Sequence, residues 1–251
     1  MFLFVSFIIP SILLNTITTC PGLTCFMLAS SSQSEGVSPR ILGSTSHVLN
    51  GSVRFLMIEG AVENGLNVNV KVNVTANFYD AVNNSIGVLS SATDLELIEP
   101  GQKSTFTFYW PINSTDIAYR LSLSYEQTNE QPIDVLEFRN VVNQTEDSQL
   151  IIRGEIWNGR PLRAQSVSLA CICYNGNGDF SGLARAFVSS VEAGGLAEFR
   201  ISVDSSVNVE SYDLVVHAGG YEARSIVNYV FFTVLVLMFI CFIIFMKRRG
   251  W

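Results

Sequence analysis

The sequence predicts an all-β fold, two tandem β-sandwich domains of one design, followed by a single C-terminal transmembrane α-helix. Three observations lead there. A pattern in residues 56–125 recurs in residues 150–218 at a separation of about 94 positions. Within each copy, short runs alternate apolar and polar residues between Gly, Pro and Asn turns, the period-two signature of half-buried strands. Finally, Ile226 to Met246 is a run of 21 residues without a charge.

The N-terminus comes first. Residues 2–14 are apolar and the small residues Ala29-Ser30-Ser31 follow. That is the layout of a secretory signal peptide over residues 1–31. No Lys or Arg precedes the run, the first base being Arg40, and the apolar stretch continues patchily to Leu28, so a retained N-terminal anchor is the alternative. Residues 32–51 are Ser- and Gly-rich and read as a flexible lead.

Residues 52–127 form the first copy. Val68 to Phe78 alternates strictly, so one face is buried and the other is wet. Tyr79-Asp80 ends that strand, and Asn83-Asn84-Ser85-Ile86-Gly87 is turn chemistry. A second strand is expected at Leu95-Glu96-Leu97-Ile98, ahead of the turn dipeptide Pro100-Gly101. Thr105 to Trp110 is a third, aromatic strand, and Tyr119 to Tyr125 a fourth. Residues 128–147 form a polar connector, in which Ile133 to Phe138 is expected to add an edge strand to the first copy. In the second copy, residues 148–223, Val167, Leu169, Cys171 and Cys173 face inward and Asn175 to Asp179 turns the chain. Phe199, Ile201 and Val203 alternate, as do Tyr212, Leu214 and Val216. Many short strands with frequent turns indicate sandwiches rather than a parallel α/β fold.

The two copies share landmarks in one order. Gly60-x-Val62-x-Asn64 answers to Gly154-x-Ile156-x-Asn158, Tyr79-Asp80 to Tyr174-Asn175, Pro100-Gly101 to Ala193-Gly194, and Phe106 to Phe199. In these features the chain resembles the FxLYD domain family, Ig-like β-sandwich modules of prokaryotic, often archaeal, secreted or membrane-anchored proteins. The naming motif is Ala76-Asn77-Phe78-Tyr79-Asp80 in the first copy and Cys171-Ile172-Cys173-Tyr174-Asn175 in the second. Both lack the leading Phe, and the second lacks the Asp. The resemblance spans both copies and implies two Ig-like domains and no particular activity, because fold analogy does not license one.

The transmembrane segment is 226–246. A helix of that length is roughly 31 Å long, matching the hydrocarbon core. Fifteen of its residues are Leu, Ile, Val or Phe. Each favours insertion by about 0.3–0.6 kcal/mol, more in total than Asn228 opposes. Lys247, Arg248 and Arg249 follow directly and orient the tail, residues 247–251, to the cytoplasm. The region from Glu35 to Arg224 holds all 22 acidic residues and all but those three of the 15 basic ones, a net charge of 12 − 22 = −10. An acidic ectodomain repels phosphate backbones, so nucleic acid is not an expected partner.

Candidate sites are few. Cys20 and Cys25 leave with a signal peptide, and Cys241 lies in the span. Cys171 and Cys173 are two apart on one strand, read as small buried hydrophobes. With His217 they would be the only soft-metal set, but strand spacing is poor for tetrahedral ligation. His47 falls in the flexible lead. Asn175, Asn177 and Asp179 imitate calcium-loop spacing with a single charge, so a plain turn is the better account. Five sequons, at Asn50, Asn73, Asn83, Asn113 and Asn143, are candidate glycosylation sites. All precede residue 147, which implies a glycosylated outer domain and a bare inner one. Phe106, Phe108, Tyr109 and Trp110 read as core. Trp157 falls off the Ile152-Gly154-Ile156 register and is the candidate interaction residue.

No convergent acid, base and nucleophile set stands out, so catalysis and cofactors are not expected. The expected function is a single-pass cell-surface protein of the envelope, binding or structural. Its partners would be the lipid bilayer and another extracellular or membrane protein. An accessory subunit of a membrane enzyme or transporter is the alternative.

Overall fold

A computed structural model of the chain describes residues 38–112, 117–132, 136–147 and 149–222. The segments 1–31 and 226–246, and Lys247, Arg248 and Arg249, lie outside the described residues. Among the described residues no helix is long and apolar enough to cross a membrane.

The described chain is all β. Its strands are β1 (Arg40–Leu49), β2 (Phe55–Glu63), β3 (Asn69–Tyr79), β4 (Ser85–Ala92), β5 (Lys103–Pro111), β6 (Ala118–Thr128), β7 (Leu136–Glu146), β8 (Gln149–Asn158), β9 (Arg163–Tyr174), β10 (Phe180–Val191), β11 (Leu196–Val203) and β12 (Ser211–Glu222). They form four three-stranded sheets, ordered β1-β2-β5, β4-β3-β6, β11-β8-β7 and β10-β9-β12. Adding six to each strand number converts the first pair of sheets into the second pair. The sequence duplication is therefore a duplication of topology.

Alternation explains the central strands. In β3, Val70, Val72, Val74, Ala76 and Phe78 are buried while Asn73 between them is exposed. In β2, Leu56 and Ile58 point inward opposite Phe108 and Trp110 of β5. Phe78 stacks on Trp110 with ring centroids 4.3 Å apart, so the β3 and β5 inner faces meet in one core. Tyr119 of β6 and Ser44 of β1 share a buried hydrogen bond of 3.2 Å across the same interior. Sheets facing each other over a common core are consistent with a β-sandwich.

Four expectations are corrected. Residues 40–49 are not a flexible lead but strand β1, paired antiparallel with β2 from Arg40↔Glu63 to Leu49↔Phe55. Its Gly, Ser and Thr residues hide the alternation, and the partner strand supplies the order. The connector 128–147 likewise contains β7, which pairs with β8 of the second copy and adds nothing to the first. Leu95 to Ile98 is irregular apart from one bridge, Val70↔Ile98. The strand lies earlier, at β4, because the turn closes at Asn84 rather than Gly87. In β12 the buried residues are Val215 and Ala218, with Tyr212, Leu214 and Val216 only half-buried.

By proximity the chain divides into two compact units. One comprises the described residues of Met1–Pro132 together with Ile172–Leu183 and Val207–Val215; the other comprises those of Ile133–Cys171, Ala184–Ser206 and Val216–Trp251. The first unit takes in those later segments through specific contacts. The Phe180 ring lies over Gly43 so closely that a Cβ there would come within 2.5 Å of it. Lys103 forms an ion pair with Asp213, and its ammonium stands 5.0 Å from the Tyr174 ring centroid. Burial, the largest single influence, opposes the charged lysine, but the hydrogen bonds and charges of Asp213 and Tyr174 together hold the pKa above the usual value. Burial also pushes the Tyr174 phenol up to about 12.

Candidate interaction face

Repeated landmarks turn out to be structural devices, and they leave the face around Trp157 as the candidate site. Asn64 is fully buried. Its Nδ2 donates to the Val68 and Ile98 carbonyls at 2.8 and 2.9 Å, and its Oδ1 accepts from Leu66 N at 2.9 Å. Its backbone also bonds to Gln102 O and Gly101 N. Asn158 repeats the network with Leu162 O, Val191 O and Arg160 N, and with Gly195 O and Gly194 N. One amide thus fastens two loops in each copy, and Asn fits because it both donates and accepts. Gly101 and Gly194 take φ of 72° and 65°, which a side chain would strain.

Gly60 and Gly154 have a different purpose. Each faces its landmark phenylalanine across the ladder, Gly60↔Phe106 and Gly154↔Phe199. The ring lies over the bare glycine and covers backbone that lacks a side chain of its own. A Cβ on Gly60 would meet Phe106 Cζ at 2.4 Å.

Asp80 and Asn175 tie the next turn. Asp80 Oδ1 accepts from Val82 N at 3.0 Å and Asn84 N at 2.8 Å, while Asn83 takes φ 64°. Asn175 Oδ1 accepts from Asn177 N and Asp179 N at 2.9 and 3.0 Å. This accounts for Asn175, Asn177 and Asp179 as an Asx-type turn. The Asn84 backbone hydrogen bond, with smaller help from its side chain and from Val82, holds Asp80 below the ordinary carboxylate pKa. A carboxylate depressed on folding stabilises above its unfolded pKa and loses that contribution as pH falls through the folded value. Asp80→Asn is therefore expected to flatten the acid limb of the stability profile below pH 3.8. Urea midpoints measured between pH 2 and 6 check this, and parallel wild-type and variant profiles would contradict it.

The remaining sequence candidates fall as follows. Cys171 and Cys173 are both buried. Among the described residues no group of three or more His, Cys, Asp or Glu is placed to hold a metal. His47 is exposed on β1, opposite Met57. Phe106 and Phe108 are core, whereas Tyr109 is exposed. Asn50, Asn73, Asn83 and Asn143 are all exposed, and Asn113 lies outside the described residues. Because Asn143 belongs to β7, the second copy also carries a sequon. An open cleft of about 450 Å³ lies beside the Asn64 loop, lined in part by Arg40, Glu63 and Pro100. Sequence reading did not find it, since Arg40 meets Glu63 only through the β1–β2 register.

Trp157 lies on β8, the central strand of β11-β8-β7. Ile152, Ile156 and Asn158 of β8 face the interior, and Trp157 points to the opposite face, half-buried. The Arg139 guanidinium of β7 lies 4.0 Å from the ring centroid. Across the ladder stand Glu137 on one side and Leu196, 53 % exposed, on the other. Farther along the same face Glu146 takes Arg153 at 2.8 Å and Arg200 at 3.0 Å. The Arg153 hydrogen bond, aided by the charge of both arginines, holds the Glu146 carboxylate below its usual pKa. Such exposed ion pairs add little stability. Their effect is a surface of alternating sign around one aromatic-apolar centre, Trp157 with Leu196.

No family model matches the chain, and no curated protein matches it. Among the solved structures with distant similarity are three at 8 % identity each. Red sea bream transglutaminase has a TM-score of 0.21, covering 70 % of this chain and 31 % of its own. The tandem CBM22-1-CBM22-2 domains of Paenibacillus barcinonensis Xyn10C have a TM-score of 0.16, covering 77 % and 94 %. Squid arrestin has 0.15, covering 68 % and 92 %. The chain spans about a third of the transglutaminase it matches.

Proposed function

We propose that this chain is a single-pass surface protein whose two FxLYD-like, Ig-like sandwiches lie outside the cell and bind an extracellular or membrane partner. The apolar run 226–246 anchors it, and Lys247, Arg248 and Arg249 keep the tail inside. The work is adhesion or scaffolding at the envelope rather than catalysis. One observation carries the binding role: a half-exposed tryptophan near the end of the central strand of a sheet, flanked by arginine and an exposed leucine. Interfaces concentrate their energy in such Trp and Arg anchors within a polar rim.

The test is purification of the full chain from its native membranes, as wild type and as Trp157→Ala. A hot-spot tryptophan contributes about 2 kcal/mol, roughly 30-fold in Kd. The partner held stoichiometrically by the wild type is expected to fall by at least about tenfold with the variant, at unchanged melting temperature. Equal recovery with both proteins would overturn the role of this face. Release of the wild type from membranes by a salt wash would overturn the anchor.

A further inference from the structure

We propose that β7 carries an N-linked glycan on Asn143, and that this glycan shields the outer edge of the β11-β8-β7 sheet. The proposal rests on the extracellular reading above. In that sheet β7 is an outer strand, laddered to β8 on one side. Val141, Val142, Asn143, Gln144 and Thr145 are all exposed, with Val142 at 60 %. The run has no charge and no proline, and β-branched residues make up most of it. An edge of this composition is a template for an incoming strand.

The usual protections lie elsewhere. A bulge shifts the register between Arg139 and Val142, with Asn140 at φ 50°, but from Val142 to Glu146 the pairing with β8 is regular. The charges of β7, at Glu137, Arg139 and Glu146, stand outside the exposed run. The centre of the run is instead a sequon, Asn143-Gln144-Thr145. Among the described sequons it alone starts on an outer strand. Asn73 starts on the central strand β3, and Asn50 and Asn83 lie in connections.

The donor is a lipid-linked oligosaccharide phosphate or pyrophosphate. Asn143 Nδ2 bonds to C1 of the first sugar. The C1–O bond to phosphate breaks, the carrier departs with that electron pair, and one amide proton passes to a base. No oxidation or reduction occurs. Asn143 stands opposite Ile152 and leaves the sheet on the inner face, where it is exposed, and a hydrated sugar rooted there sweeps a space much wider than the about 4.8 Å that a further strand beside β7 would need.

The full chain, purified from native membranes in detergent, supplies the test. Peptide mass mapping reads Asn143, and sedimentation reads self-association, for wild type, Thr145→Ser, Thr145→Ala and Asn143→Gln. Wild type and Thr145→Ser are expected to carry the glycan and sediment as one species. Thr145→Ala and Asn143→Gln are expected to lack it and to self-associate at concentrations at least tenfold lower. Adding Val142→Lys to Thr145→Ala is expected to restore a single species. Asn143 bare while Asn50 or Asn83 is occupied overturns this proposal alone, as does a monodisperse Thr145→Ala. Every sequon bare on a chain recovered from inside the cell overturns it together with the extracellular reading.

Discussion

Asn64→Ala is expected to destabilise the first copy by about 3 kcal/mol or more, because it orphans three partners, the buried Ile98 carbonyl among them. Three side-chain hydrogen bonds disappear, two of them to the Val68 and Ile98 carbonyls. Each buried polar group left unpaired costs about 1–3 kcal/mol. In a domain of this size each kcal/mol moves Tm by roughly 4–8 °C, so the midpoint should fall by more than about 10 °C. Asn64→Asp keeps the shape and should not rescue it. A carboxylate would face two carbonyl oxygens with nothing to donate. Asn158→Ala is the matching change in the second copy, where the same three kinds of partner occur. Thermal melts followed by circular dichroism measure both. A shift of less than about 2 °C would show that the clasp is incidental.

The second large effect separates two glycines that look equivalent. Gly60→Ala should be the more damaging, because its Cβ would stand 2.4 Å from Phe106 Cζ and 2.5 Å from the Gly43 backbone carbonyl. A ring can rotate away, but a carbonyl in the β1–β2 ladder cannot move without opening that ladder. Gly154→Ala meets Phe199 and the Arg139 carbonyl at 2.9–3.0 Å, which a few tenths of an ångström relieves. Overpacking of this kind costs about 1–3 kcal/mol when relaxation is possible and more when it is not. Gly60→Ala is therefore expected at or beyond the top of that range, with Gly154→Ala near its bottom. Urea midpoints of the two variants give the comparison, and equal losses would refute the ranking.

Strands with a wet and a dry face were readable in advance. Val68 to Phe78 alternates without interruption and became β3, and Thr105 to Trp110 became most of β5. Edge strands were not. In β1 and β7, Ser, Thr, Asn and Gly stand where alternation would otherwise be visible, and their order comes from hydrogen bonds to β2 and β8. Local pattern is a weak guide where one side of a strand is solvent on both faces. Likewise, β9 is buried on both faces from Leu169 to Tyr174, although Leu169, Cys171 and Cys173 had suggested a single inward face. The candidate site divides in the same way. The register of Trp157 against Ile152 and Ile156 placed it on the outer face from sequence. Its Arg139 neighbour lies 18 positions earlier, on the adjacent strand β7, and no local pattern links the two.

By itself the sequence determined the all-β class, the duplication, the central strands and the residues that recur in both copies. Those follow from short-range periodicity and from residue types with one conformational or hydrogen-bonding use, such as Gly beside Phe or a buried Asn. Only the tertiary structure decided which strands close the edges, that β7 belongs with β8, and that Glu146 gathers Arg153 and Arg200. These depend on pairings between distant segments, whose energy resides in cross-strand neighbours rather than in either segment alone.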